Sequence, residues 1–301
     1  MSAAHARRSA SERAEQKRRL LLALGVTLSF FVVELIGGFL SRSLGLLADA
    51  AHLFTDAGAL LLAYTAMALA DRRPTSRHSF GLYRAEVLAA FVNAELLLVV
   101  CGLLFWEAWH RLQAPPAIDT VLMCWVAAAG LVANLVSLRL LHRDHEKSLN
   151  LNAAYLEVLT DSLASVAVLV AALVMRPSGW YVLDPLVSTA IAFLVLPRTI
   201  SLLRQSAHIL LEGTPGEVDL TELRRQLLDI PGVEELHDLH LWTLTSGLHS
   251  LSVHIRAAAE SPRGEVLKEV QRVLRDDAGV EHATVQVEWG SEVVCEVTHH
   301  A

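Results

Sequence analysis

Six long apolar stretches dominate the first two hundred residues of the chain. Each has roughly twenty residues or more, the length that an α-helix needs to cross the hydrocarbon core of a bilayer. They cover about 20–40, 45–70, 85–110, 119–141, 150–175 and 182–203. This pattern predicts an all-α membrane domain of six transmembrane helices over 20–210, preceded by a basic tail over 1–19.

The pattern changes after the turn residues Gly213-Thr-Pro-Gly216. Apolar residues then recur at helical spacing in two segments and alternate with polar residues in three others. In chain order these segments are 218–229 (helix), 234–245 and 249–257 (strands), 262–276 (helix) and 282–289 (strand). The order αββαβ predicts a small α+β domain over 211–290, with both helices on one face of the sheet, followed by a tail over 291–301.

The charged residues change the picture in two ways. Basic residues cluster at the N-terminus and in the connections at 71–84 and 139–147, beside the apolar stretches rather than on one soluble face. This distribution argues against a nucleic-acid partner. By the positive-inside rule it predicts a multi-pass protein of the inner or plasma membrane with both termini in the cytoplasm and the lipid bilayer as its surroundings. The three cysteines indicate no disulfide framework.

Two pairs of polar residues interrupt the second and fifth apolar stretches. His52 and Asp56 form one pair, and Glu157 and Asp161 form the other. Residues four apart share one face of a helix, so each pair directs two side chains to one place. Carboxylates are costly inside a membrane helix and are usually functional there. One imidazole and three carboxylates can form a four-coordinate site for a divalent metal, which predicts a metal transporter.

Two further polar residues lie near these pairs. Asp49 shares the helix face of His52 and is a candidate to orient its imidazole. Asn152 lies about one turn before Glu157 and either reaches the site or caps the helix. The alternative interpretation is a polar patch that holds helices together, or an ion pair with a basic residue. We expect no such ion pair, because the stretches offer no Lys or Arg at mid-depth.

Four motifs together resemble the cation diffusion facilitators, and most closely their cobalt–zinc–cadmium resistance branch. The resemblance extends over about 20–290. Its motifs are Leu46-Leu-Ala-Asp-Ala-Ala-His52-x3-Asp56, His78-Ser-Phe-Gly-x2-Arg84-x-Glu86, Tyr155-Leu-x4-Asp161 and His237-Asp-Leu-His240-Leu-Trp242. The resemblance implies six membrane helices and a ferredoxin-like or metallochaperone-like cytoplasmic domain, in a homodimer that exchanges a divalent cation for protons. It implies neither an enzyme nor a cofactor.

By the same resemblance, His52, Asp56, Glu157 and Asp161 form the transport site for zinc, cobalt or cadmium. Further roles implied by it concern the loop and the cytoplasmic domain. The loop offers Asp71 and His78 as a possible second metal pair, although the neighbouring Thr75 and Leu82 are poor ligands. Arg84 is expected to pair with Glu212. A possible regulatory metal site consists of His237, His240, His254 and Glu288.

The ligand set itself favours proton exchange. Carboxylates this close in a low dielectric cannot all stay ionised, so protons occupy the site without metal and must leave when metal binds. One departure from the family pattern concerns the cargo. Zinc-selective members commonly have His where this chain has Glu157, and carboxylates favour harder ions. A manganese or iron(II) exporter of the same fold therefore remains an alternative function.

Two other classes of protein are alternatives. A membrane metalloprotease requires a general base beside an open coordination position, and the chain has no His-Glu-x-x-His motif. A membrane metal sensor would bind metal without transporting it. A flux measurement distinguishes the sensor from the transporter.

Overall fold

The architecture is known from a computed structural model. It describes residues 3–70, 75–141, 149–245, 247–276, 278–280 and 282–289. These residues divide into two compact units. The membrane unit contains the chain up to position 72 together with Ala89–Leu203, and the C-terminal unit contains position 73 to Leu88 together with the chain from Arg204 onward.

Six helices in the described residues are long and apolar enough to cross a membrane. They are α1 (Ala3–Ser41), α2 (Leu44–Ala70), α3 (Tyr83–Gln113), α4 (Thr120–Leu141), α5 (Leu149–Ser178) and α6 (Leu183–Leu210). The predicted six-helix membrane domain is confirmed. The helices exceed the predicted stretches mainly at their ends, where polar residues continue the helix outside the apolar window.

The outer surface of the membrane unit is apolar. Four tryptophans with 55–73% of their surface exposed lie in the α5–α6 connection or within two helical turns of the α3–α4 connection: Trp106, Trp109, Trp125 and Trp180. Both connections face the same side, because successive membrane helices alternate in direction. Tryptophan favours the boundary between hydrocarbon and water, so these rings mark one edge of the bilayer.

The start of α2 is held by a carboxylate from the start of α6. Oδ1 of Asp184 accepts hydrogen bonds from Ser43 Oγ at 2.7 Å and Gly45 N at 3.0 Å. Oδ2 accepts a bond from Leu44 N at 2.7 Å. Asp184 is completely buried. It thus satisfies backbone N–H groups that the first turn of a helix leaves without partners, and it fixes the helix that carries His52.

The remaining elements of the C-terminal unit follow the order αββαβ, as predicted. They are α7 (Leu220–Leu228), β1 (Val233–Thr245), β2 (Leu248–Ala257), α8 (Arg263–Asp276) and β3 (His282–Trp289). The sheet has the order β1-β2-β3, with β1 antiparallel and β3 parallel to β2.

The two faces of this sheet differ in chemistry. Leu251, Val253 and Ile255 alternate along β2 and are buried in the core. The core also contains residues of α7 and α8, and those of α8 follow a helical spacing: Val266, Val270, Val273 and Leu274. The intervening His254 lies on the other face, because successive strand residues point to opposite sides. The helices therefore cover one face, and the histidine cluster lies on the opposite face.

Candidate metal centres

The membrane unit brings together His52 and Asp56 from α2 with Asp161 from α5. His52 Nε2 lies 2.7 Å from Asp161 Oδ1 and 3.8 Å from Asp56 Oδ2. One donor atom from each residue lies within 4.8 Å of the other two. Donors held tetrahedrally by zinc at about 2.0–2.1 Å lie roughly 3.4 Å apart. The observed distances bracket that spacing, so small side-chain shifts can close the three donors around one cation.

Of the two predicted neighbours of this site, the structure describes the side chain of Asp49 but not that of Asn152. Asp49 Oδ2 accepts a hydrogen bond from Ser165 Oγ at 3.5 Å. His52 Nδ1 is buried and has no hydrogen-bond partner among the described residues. Asp49 therefore does not make the predicted orienting bond to His52 in this conformation. The side chain of Asn152 lies outside the described residues, and its role stays a prediction.

The fourth predicted ligand, Glu157, is known here only by its place on α5. Its side chain lies outside the described residues. It precedes Asp161 by four positions, so the two share one helix face. In the loop, Asp71 also lies outside the described residues, and the exposed His78 belongs to no three-residue ligand group among those described.

The expectation that no basic side chain lies at mid-depth is wrong. Arg198 on α6 places Nη1 3.9 Å from Asp56 Oδ1. The helix continues to Leu210, so Arg198 lies three turns before its end rather than near it. Its long side chain reaches the metal ligands while about half of its surface stays exposed, at 51%. The site therefore contains a protein cation beside Asp56.

A cavity of about 550 Å³ opens onto the site. Its polar lining includes Glu34, Asp49, Asp56, Asp161 and Arg198. Glu34, on α1, is buried and was missed by the sequence analysis. The sequence analysis could have identified it, because any carboxylate in a predicted membrane stretch is a candidate functional residue. The same applies to Asp184.

The C-terminal unit contains a second ligand group on the open face of its sheet. His237 and His254 are register partners on β1 and β2. Glu288 Oε2 lies 3.6 Å from His237 Nε2, and its Oε1 lies 3.5 Å from His254 Nδ1. Glu288 is buried, and its Oε1 also accepts a hydrogen bond from Gln286 at 3.0 Å. Two imidazoles and a carboxylate suit zinc.

His240 does not belong to this three-residue group. Its Nε2 lies 2.7 Å from Asp238 Oδ1. Asp238 has φ +52° at a register shift between His237 and His240. Such a bulge changes the direction of a side chain, and here it brings the Asp238 carboxylate to 3.8 Å from His254 Nε2. Asp238 is thus a neighbour of the cluster that the sequence analysis missed.

Three contacts within the C-terminal unit involve the segment before and at the start of α3. Arg84 Nη1 donates a hydrogen bond to Glu212 Oε1 at 3.0 Å, which places the predicted charge pair in contact. Thr245 Oγ1 donates a bond to Glu86 Oε2 at 2.9 Å. The exposed Phe80 ring also packs edge-on against His282, with centroids 5.2 Å apart. These contacts attach the segment to the end of α6 and to the sheet.

Comparison with protein families identifies both parts of the chain. Residues 20–211 match the family described as the cation efflux transmembrane domain, and residues 215–289 match the cation efflux protein, cytoplasmic domain. The chain belongs to the cation diffusion facilitator family. Members of this family are metal cation efflux transporters, not enzymes, and this cation diffusion facilitator is a multi-pass membrane protein.

Curated relatives place it in the cobalt–zinc–cadmium resistance branch. The metal cation efflux system protein CzcD of Cupriavidus metallidurans is 44% identical over 90% of this chain and 86% of its own. The zinc transporter ZitB of Escherichia coli is 43% identical, covering 90% and 87%. The cadmium, cobalt and zinc/H(+)-K(+) antiporter of Bacillus subtilis is 35% identical, covering 90% and 89%.

One solved structure is also similar. The metal-bound C-terminal domain of the CzcD transporter is 47% identical, covers 24% of this cation diffusion facilitator and 99% of that chain, and superposes with a TM-score of 0.23.

Proposed function

We propose that this protein exports zinc, and also cobalt or cadmium, from the cytoplasm in exchange for protons. The observation that carries the proposal is the meeting of His52 and Asp56 from α2 with Asp161 from α5 inside the membrane unit. Glu157 completes the transport site as the fourth ligand. The names of the CzcD, ZitB and Bacillus relatives support these metals as cargo.

The contact between His52 and Asp161 gives the physical reason for exchange. At 2.7 Å, Nε2 and Oδ1 share a hydrogen bond, so one proton lies between two atoms that are both metal ligands. A metal ion needs those same lone pairs and displaces that proton. Arg198 is consistent with this exchange, because its positive charge offsets the negative charge of Asp56 when no metal ion is bound. Alternating access then carries metal one way and protons the other.

The remaining parts of the proposal concern organisation. The transport domain comprises 20–210 and the regulatory and dimerisation domain 211–290, and the protein works as a homodimer with both termini in the cytoplasm. The match of residues 215–289 to the family's cytoplasmic domain supports this arrangement. His237, His254 and Glu288 hold a regulatory metal, because their donors converge and His254 Nδ1 is buried without a hydrogen-bond partner among the described residues.

The second candidate is a manganese or iron(II) exporter with the same site. It is favoured by the carboxylate-rich lining, in which Glu34, Asp49, Asp56 and Asp161 surround one cavity. A sensor that binds metal without transporting it is the third outcome that an experiment can give.

Metal uptake into proteoliposomes across an imposed pH gradient tests these proposals. Zinc, cobalt, cadmium and manganese are compared for the wild type, Asp161→Asn and the control Asp119→Asn, an exposed carboxylate outside the cavity. We expect gradient-driven zinc uptake in the wild type and the control, and none in Asp161→Asn. A preference for manganese supports the second candidate, and binding without uptake supports a sensor.

A further inference from the structure

Glu34 is a buried carboxylate that the transport site does not use. It lies on α1 with only 4% of its surface exposed, whereas the ligand group comes from α2 and α5. Its Oε2 has no hydrogen-bond partner among the described residues. Burying a carboxylate without a partner costs several kcal/mol, so such a group usually has a cation or a proton as its partner.

The surroundings of Glu34 leave room for a ligand. A side-chain carbon added to Gly130 on α4 would lie 3.0 Å from Glu34 Oε1, so this glycine gives the carboxylate its space. Glu34 lines the 550 Å³ cavity together with Asp49, Asn134 and Ser137. At roughly 30 Å³ per water molecule, the cavity accommodates a cation with much of its hydration shell.

A second carboxylate lies on the neighbouring helix. Asp49 on α2 is buried, and its Oδ2 accepts a hydrogen bond from Ser165 Oγ at 3.5 Å. Asn134 Nδ2 donates to the same Ser165 oxygen at 3.4 Å. Asp49 and Glu34 line the same cavity. Two carboxylates, an amide and hydroxyls are thus gathered from α1, α2, α4 and α5.

We propose that Glu34 and Asp49 form a second cation-binding station, which holds the divalent cargo in partly hydrated form beside the transport site. This inference rests on the proposed function, because the cation at the station is the transported one. Two carboxylates neutralise one dication. Asp49 precedes His52 by three positions on α2, so a cation at the station lies about one helical turn from the transport ligands.

The donor chemistry of the station differs from that of the transport site. Its donors are carboxylate, amide and hydroxyl oxygens, and it has no imidazole among the described residues. Oxygen donors favour manganese and magnesium, whereas imidazole strengthens the binding of zinc. Manganese is therefore a probe that reports the station with less competition from the histidine site.

The test is the number of manganese ions bound by the purified full-length protein, measured from the electron paramagnetic resonance signal of free manganese. The background is Asp161→Asn with His254→Ala, which weakens both histidine sites. We expect Glu34→Gln in this background to lose one bound manganese per protomer. Glu95→Gln is the matched control, because Glu95 is an exposed membrane carboxylate outside the cavity lining, and it should lose none.

Equal manganese counts for Glu34→Gln and Glu95→Gln would overturn the proposal. If Glu34→Gln does not fold, Gly130→Ala replaces it, since its added carbon presses on the Glu34 carboxylate. We then expect manganese to bind roughly tenfold more weakly at the station, and unchanged binding would overturn the proposal. Counting bound manganese does not require transport. A failure of the second station can therefore be distinguished from a failure of zinc uptake in proteoliposomes.

Discussion

Replacing Asp184 by asparagine tests how the start of α2 is held in place. The carboxylate is completely buried and accepts bonds from Ser43, Leu44 and Gly45 at 2.7–3.0 Å. Asparagine keeps the shape and one acceptor oxygen. Its amide group cannot accept, so at least one donor of α2 faces an N–H group instead of an oxygen.

The expected cost follows from these bonds. A hydrogen bond to a charged group contributes about 1.5–3 kcal/mol, and its loss leaves a buried donor without a partner. We therefore expect Asp184→Asn to lower the free energy of unfolding by about 2–3 kcal/mol, which is a roughly 30- to 150-fold change in the equilibrium constant. Arg111, whose Nη1 lies 3.4 Å from Asp184 Oδ2, keeps its bond to Glu107 at 2.8 Å, so its charge stays paired in the variant.

The assay is thermal unfolding of the detergent-purified protein, together with zinc uptake by proteoliposomes. A loss of this size lowers the melting temperature by roughly 4–12 °C, and uptake should fall because α2 carries His52 and Asp56. The control is Asp119→Asn at the exposed start of α4, where Oδ1 accepts bonds from Val121 N and Leu122 N, both at 3.1 Å. Asparagine caps such a helix as well as aspartate does. Equal melting of both variants would refute the reasoning.

Three further substitutions test separate parts of the account. Glu157→His should shift the ranking of transported metals towards zinc, because it replaces an oxygen by an imidazole nitrogen; an unchanged ranking in competition assays contradicts the assignment of Glu157. Arg198→Gln removes a positive charge beside Asp56 and should tighten zinc binding there roughly fivefold, the effect of about 1 kcal/mol from a half-exposed charge. The control Arg204→Gln should leave zinc affinity unchanged, and titration calorimetry measures both. Glu288→Gln should weaken zinc binding by the C-terminal unit about tenfold or more, and equal zinc affinity would remove that site.

Local patterns in the sequence were sufficient to predict the elements and the two ligand pairs. The apolar stretches are long enough to be unambiguous, and alternation along β2 identifies both the core residues and His254 on the opposite face. The pairing of His52 with Asp56 follows from a four-residue spacing alone. These features depend on neighbours in the chain, which the sequence shows directly.

Three features that depend on distant contacts were not predicted. Asp184 bonds Leu44 across 140 positions, and no local spacing links them. Arg198 reaches Asp56 only because of how α6 packs and how far it extends. Glu34 is a single carboxylate on α1, so only the packing of α1 against α2 and α4 reveals its place in the cavity.

The central claim is that one site exchanges metal for protons, and the most direct measurement records both ions at once. Proteoliposomes with an internal zinc indicator and an internal pH indicator are given an outward proton gradient and external zinc. The account predicts zinc entry coupled to proton exit in the wild type, with neither above background in Asp161→Asn. Zinc entry without proton movement, or coupled movement that survives in Asp161→Asn, would contradict it.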